Sequence, residues 1–223
     1  MNFDDIILNG VNISSSGTTD TPKDIYRSPA NIKACIDVAL KAQHINVDSS
    51  ILTVTKLSHA GGLLLQTLPA HFIGARYDVI KFNPYSFISD LTNYTHTFIT
   101  PQQVSALMKT KSFDKATFDG KFIAMGSDYV PASHINAFTS RGATVFQNWG
   151  MSEIGPCVIN MTFEPYSDLV DYNNIMGDTY WTDYKIIDDT LWVKGPMCIY
   201  DDWFRTNDIV KMINDKMFYC GRL

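Results

Sequence analysis

No two of the four cysteines in this chain form a Cys-x-x-Cys pair: Cys35, Cys157, Cys198 and Cys220 are scattered. That spacing excludes the usual zinc and dithiol patterns and leaves buried free thiols as the expectation. The five histidines are equally dispersed and offer no metal-ligand spacing. Positive charge is scarce as well. The 18 Lys and Arg face 23 Asp and Glu, a net charge of -5, which is the opposite of the basic face that nucleic-acid binding needs. Long apolar runs are missing. Gly61 to Leu65 is typical of the longest, far short of the roughly 20 residues of a membrane span. Met1-Asn2-Phe3-Asp4-Asp5 is acidic where a secretory signal is basic, so a cytoplasmic chain is expected. Internal repeats, low-complexity linkers and the Gly-x-x-x-x-Gly-Lys-Ser/Thr phosphate loop are also absent.

What is present is enough apolar sequence for a substantial core, 45% of 223 residues, as one large domain or two subdomains. Ile51 to Thr55, Tyr77 to Phe82, His96 to Thr100, Phe122 to Met125 and Thr144 to Gln147 are short apolar or β-branched runs suited to buried parallel strands. Helical segments alternate with them. Ser28-Pro29 is an N-cap followed by proline at the first helical position, with Ile32, Ile36 and Leu40 repeating behind it. Pro101 opens a second helix carrying Val104, Leu107 and Met108. Pro131 opens a third, with Ile135 and Phe138 inward and Gly142 at its end. The alternation predicts an α/β fold with a layered, mostly parallel sheet over residues 1–155. Beyond Pro156 the pattern turns to hairpins. Tyr184 to Ile187 and Leu191 to Val193 flank Asp188-Asp189-Thr190, and Ile209 to Ile213 and Met217 to Cys220 flank Asn214-Asp215-Lys216. Residues 156–223 are therefore expected to form a small β-rich subdomain.

The stretch from Ser14 to Lys23 gathers hydroxyl side chains around Gly17 and closes with Pro22 and Lys23. Backbone N–H groups and hydroxyls beside a glycine can converge on an anion, and a lysine adds a point charge. A polar surface loop would have the same composition. Four further motifs follow in order. They are Ser58-His59-Ala60-Gly61-Gly62-Leu63, Asn148-Trp149-Gly150-Met151-Ser152-Glu153, Trp203-Phe204-Arg205-Thr206-Asn207-Asp208 and Gly221-Arg222.

Together these five segments resemble the signature motifs of the adenylate-forming enzymes, which include acyl-CoA synthetases, luciferases and peptide-synthetase adenylation domains. The resemblance spans nearly the whole chain and implies the large-domain fold of that family in reduced form. It also implies the reaction: a carboxylic acid is activated by ATP to an acyl adenylate, which a thiol such as that of coenzyme A then takes up. On this resemblance Ser15, Ser16, Gly17, Thr18, Thr19 and Lys23 would embrace the β- and γ-phosphates. Ser152 would contact the α-phosphate and Glu153 would hold Mg²⁺. Asn148, Trp149, Gly150 and Met151 belong to the same nucleotide motif, with Trp149 in the aromatic place that flanks adenine. Gly126, Ser127 and Asp128 lie where the family has a turn beside adenine. Asp208 would accept hydrogen bonds from the ribose hydroxyls, with Arg222 as its companion. His59 is either a core histidine or a group facing the acyl pocket. The stretch from Lys56 to Gly74, with Thr100 to Val104, resembles the o-succinylbenzoate–CoA ligase branch.

Two substitutions depart from the family pattern. Asp20 replaces the second glycine of the loop, placing negative charge near a triphosphate. Asn207 replaces the glycine of Thr-Gly-Asp, which is conformationally milder. The resemblance also implies that a lysine-bearing C-terminal domain would follow Gly-Arg, and that a separate polypeptide is a possible supplier of it. Three readings remain: an acid–thiol ligase, a non-catalytic ATP/AMP-binding module acting with a partner, and a structural remnant. Retention of Lys23, Glu153, Asp208 and Arg222 favours the first two.

Overall fold

A computed structural model describes residues 1–14, 23–168, 170 and 173–223. The chain opens with helix α1 (Phe3–Asn9) and a hairpin of β1 (Val11–Ser14) and β2 (Asp24–Arg27), which no periodic pattern foretold. Helix α2 (Pro29–Ala42) and strand β3 (Ser50–Thr53) follow. Helix α3 (Ala60–Gly62) runs through a π-helical turn (Leu63–Thr67) into α4 (Leu68–Ile73). Next come β4 (Arg76–Val79), α5 (Phe87–Leu91), β5 (His96–Ile99), α6 (Pro101–Leu107), α7 (Lys111–Asp114), β6 (Phe122–Met125) and α8 (Ala132–Thr139). The remainder is β: β7 (Thr144–Met151), β8 (Gly155–Phe163), β9 (Ile175–Gly177), β10 (Thr179–Tyr180), β11 (Asp183–Ile187), β12 (Thr190–Lys194), β13 (Phe204–Ile213) and β14 (Lys216–Arg222).

Seven strands form the large sheet in the order β10-β8-β7-β6-β5-β3-β4, parallel from β4 to β7 and antiparallel beyond. Five form a small antiparallel sheet, β11-β12-β13-β14-β9. The fold is thus α/β with a parallel-rich central sheet and a small antiparallel subdomain. The sheets do not part at residue 155, because β8 and β10 still pair into the large one.

Local chemistry explains the helices. Ser28 and Asn31 cap α2 reciprocally, with Pro29 at its start. Its inward face is Ile32, Cys35, Ile36 and Ala39, while Leu40 is only half-buried. A repeat of four overruns the 3.6-residue turn, so Leu40 sits at the edge of the stripe, packed against the core but only partly covered. Thr100 and Gln103 cap α6 in the same reciprocal way. Along β6 the side chains alternate between two cores. Ile123 and Met125 join Val104, Leu107, Ile135 and Phe138 from α6 and α8, whereas Ala124 packs with Ala42 and Leu65. Both faces are covered, as a parallel sheet requires.

Strand ends differ from the sequence expectation for a visible reason. β4 stops at Val79 because its partner β3 stops at Thr53. β7 continues past Gln147 because β8 pairs with it as far as Met151. Each hairpin turn has two residues rather than three. Asp188-Asp189 and Asn214-Asp215 all take positive φ, between 49° and 61°, while Thr190 and Lys216 pair within strands; this is the mirror-image turn that suits strand twist. Cys220 is exposed, unlike the other three thiols.

His96, at the start of β5, is buried and stacks on Phe122 with ring centroids 4.5 Å apart. Burial lowers its pKa to about 4, against a raising contribution from the Gln43 carbonyl and a lowering one from His44. A depressed histidine pKa means that the unfolded chain takes up the proton first, so stability falls as pH drops from about 6.5 towards 4. His96→Phe is expected to flatten that acid limb by up to about 3 kcal/mol, measured by urea unfolding at pH 7 and pH 4.5. His134, also lowered by burial, leaves a residual slope. An unchanged limb in the variant would contradict the assignment.

Candidate functional site

The carboxyl ends of the parallel strands open onto one cavity of about 1560 Å³, where ligands of such sheets sit. Segments after β3, β4, β5 and β6 line it, together with the end of β7 and part of the small sheet. Of the residues expected from sequence, His59, Gly126, Ser127, Asn148, Trp149, Gly150, Met151, Ser152, Asp208 and Arg222 all meet there. Lys23 and Glu153 do not line the cavity, although Glu153 directly follows Ser152. Ser15, Ser16, Gly17, Thr18, Thr19 and Asp20 lie outside the described residues.

Close backbone packing shapes the β6–β7 wall. A Cβ on Gly126 would stand 2.6 Å from the Asn148 carbonyl oxygen. Ser127, next to it, is exposed with φ 72°. Asn148 is buried and its side-chain oxygen accepts from the Cys157 thiol at 3.2 Å. Its Nδ2 has no partner, and neither do Gln147 Oε1 and Thr55 Oγ1. Three cavity-lining residues thus carry an unsatisfied buried polar atom, which is the mark of a site that expects a ligand or water.

His59 is half-buried and its Nδ1 lies 3.0 Å from the Ser14 carbonyl oxygen. The Ser14 amide in turn donates to the Ser58 carbonyl at 3.0 Å. His59 therefore both lines the cavity and fixes the end of β1, a role intermediate between the two open alternatives.

At the other wall Asp208 is 4% exposed. Its register partner across β13–β14 is Arg222, whose Nε lies 3.4 Å from Asp208 Oδ1. Burial raises the Asp208 pKa, opposed by the Arg222 charge and by a hydrogen bond from the Trp149 side chain. Trp149, expected only beside adenine, thus also reaches the Asp208 carboxylate. Asn207 takes φ 64°, a left-handed conformation that asparagine tolerates. Sequence reasoning missed Thr55, Gln147 and Tyr219, all of which line the cavity. Gln147 adjoins a motif and was findable; Tyr219 has no local signal, because only strand pairing brings it beside Asp208.

Among the described residues no group of three His, Cys, Asp or Glu could hold a metal ion. The one expected ligand, Glu153, would suit only a hard cation that takes its remaining oxygens from nucleotide and water. No helix among the described residues is long and apolar enough to cross a membrane.

The family follows from comparison with known proteins. The AMP-binding enzyme family model matches residues 13–203, and the chain belongs to that family. An indoleacetate–CoA ligase of Aromatoleum aromaticum is 29% identical over 87% of this chain and 44% of its own length. A 3,4-dihydroxybenzoate–[aryl-carrier protein] ligase of Bacillus anthracis is 26% identical over 70% of this chain and 38% of its own. The chain therefore spans less than half the length of these relatives. Among solved structures, ATP-bound MatB from Rhodopseudomonas palustris superposes with a TM-score of 0.79 at 18% identity, covering 95% of this chain and 47% of that one. E. coli MenE with a bound analogue of OSB-AMS gives 0.75 at 18% identity, over 95% and 47%. Both show the shared fold.

A carboxyl whose folded pKa is raised costs stability when it ionises, so stability declines as pH rises through that pKa. Asp208→Asn is expected to unfold at an equal or higher temperature than the parent at pH 7, with the difference shrinking towards pH 3.5. Calorimetric scans across that range test this; a variant that melts lower at pH 7 would show that the Arg222 contact outweighs burial.

Proposed function

We propose that the chain activates a carboxylic acid with ATP. One observation carries this reading: the Asn148–Ser152 strand end, the Gly126–Ser127 turn, Asp208 and Arg222 face a single cavity at the carboxyl ends of a parallel sheet, in a chain of the AMP-binding family. An oxygen of the substrate carboxylate attacks the α-phosphorus, the bond to the bridging oxygen breaks, and pyrophosphate leaves. The acyl adenylate is then attacked at its carbonyl carbon by a thiol, coenzyme A or a carrier, which expels AMP and releases its proton. The protein's part is to hold the reactants in line and to stabilise developing negative charge. Ser152 contacts the α-phosphate, Asp208 with Arg222 holds the ribose, and Trp149 covers the adenine. Lys23 and the hydroxyls of residues 15–19 take the outer phosphates. Glu153 would hold the Mg²⁺, whose charge would offset that of the triphosphate.

Val79, Ile80, Phe82 and Phe98 also line the cavity, apolar surface suited to an aromatic acid. The two ligase relatives, named for indoleacetate and 3,4-dihydroxybenzoate, point the same way.

Pyrophosphate release with ATP, Mg²⁺ and a panel of benzoates, arylacetates and fatty acids, with and without coenzyme A, tests the reading. Acid-dependent release is expected, strongest with an aromatic acid. Asp208→Ala should weaken AMP binding by about tenfold to a hundredfold, the scale of hydrogen bonds to a charged acceptor. In the family a mobile-domain lysine assists adenylation, and losing such a group slows a step by about a hundredfold to a thousandfold. Residues 1–223 alone should therefore form adenylate slowly and consume supplied adenylate relatively faster. Nucleotide binding without pyrophosphate release would leave a binding module acting with a partner. No ATP or AMP binding at millimolar ligand would overturn both readings.

A further inference from the structure

Arg27 is the last residue of β2 and is fully buried, at 0% exposure. A guanidinium keeps its charge when buried, and burial is costly unless a carboxylate offsets it. Among the described residues none pairs with Arg27. Its Nη1 donates to the Ser152 carbonyl at 2.5 Å. Its Nη2 donates to the Met197 carbonyl and lies 3.3 Å from the Cys35 sulfur. Its Nε has no partner. The surrounding contacts hold the same junction. Asn31 Nδ2 donates to the Pro196 and Cys198 carbonyls, at 3.0 and 2.8 Å, and the Ile199 amide donates to the Glu153 carbonyl at 2.9 Å. Three segments therefore converge on one positive charge: the strand leaving the Ser/Thr-rich stretch, the Ser152–Glu153 turn, and the loop leading to Trp203–Asp208.

We infer that Arg27 is a positioning residue that clamps the Ser152–Glu153 turn and selects for phosphorylated ligands, its unneutralised charge acting through the Ser152 peptide on the anion bound at that residue. A cation held behind a peptide in low dielectric, with no carboxylate among the described residues to cancel it, favours negative charge on the far side. The inference rests on the adenylate-forming reading, which assigns the α-phosphate to Ser152.

The test compares adenosine, AMP and ATP binding by calorimetry in the parent, Arg27→Gln and Arg27→Lys, with folding of each checked by circular dichroism. Gln keeps a donor for the Ser152 carbonyl and removes the charge; Lys keeps the charge and loses the fork. Arg27→Gln is expected to lose about tenfold to a hundredfold in AMP and ATP affinity, with adenosine changed less than threefold. Arg27→Lys should keep the parent's ratio of ATP to adenosine affinity within about threefold, a charge-borne selectivity. Equal weakening of all three ligands in Arg27→Gln, or none, would overturn the inference, as that is what a purely structural anchor does. Should the Gln variant not fold, a collapse of the ATP-to-adenosine ratio in Arg27→Lys overturns it instead. A parent that binds no ATP fails the functional reading rather than this one.

Discussion

Between Trp149 and Met151 the β7–β8 ladder slips register, and there backbone meets backbone. A Cβ on Gly150 would lie 2.1 Å from the Gly155 carbonyl oxygen, so only glycine lets the two strands close. The large sheet changes from parallel to antiparallel at this closure. Because the reversal comes directly after the strand end that carries Asn148 and Trp149, the chain doubles back at the cavity mouth. The small sheet is then delivered beside it, and Asp208 and Arg222 reach the opposite wall. A wider turn would separate the two halves of the site.

Two buried charges flank that strand end, and both are costly. Arg27 holds the Ser152 carbonyl from within, while Asp208 is approached by the Trp149 side chain and Arg222 from the cavity side. Among the described residues neither charge has a close, fully buried counter-ion to offset its desolvation. Polar groups left without partners on Thr55, Gln147 and Asn148 add to the same account. A fold under selection for stability alone would replace them with apolar side chains of similar size. Keeping them is intelligible when a charged, hydrogen-bonding ligand supplies what the protein lacks.

Much of the fold was legible because its determinants are local. Ser28-Pro29 and Pro101 are helix starts written locally; Ser28 caps α2 as expected, and Thr100 caps the helix that Pro101 opens. The hairpins around Asp188 and Asn214 were visible in their turn residues, although their two-residue length follows from pairing that no short window contains. The β1–β2 hairpin escaped notice because its strands have four residues each and are separated in sequence by the polar stretch. Gln147 and Tyr219 line the cavity on the strength of strand register, which a motif search does not see.

The sequence by itself determined the alternation of strands and helices, the caps, the switch to hairpins and the family motifs, since each depends on residues within about ten positions of one another. It also placed the expected site residues in order along the chain. Only the tertiary structure decided that ten of them share one cavity, that β8 crosses the expected boundary to join the large sheet, and that Trp149 contacts Asp208. Arg27 is the clearest case. In sequence it is an ordinary cation at the end of a short strand; its burial against Ser152 and Met197, 125 and 170 residues away, follows from how the sheets pack. Long-range burial and charge compensation depend on which surfaces meet, and no local pattern encodes that.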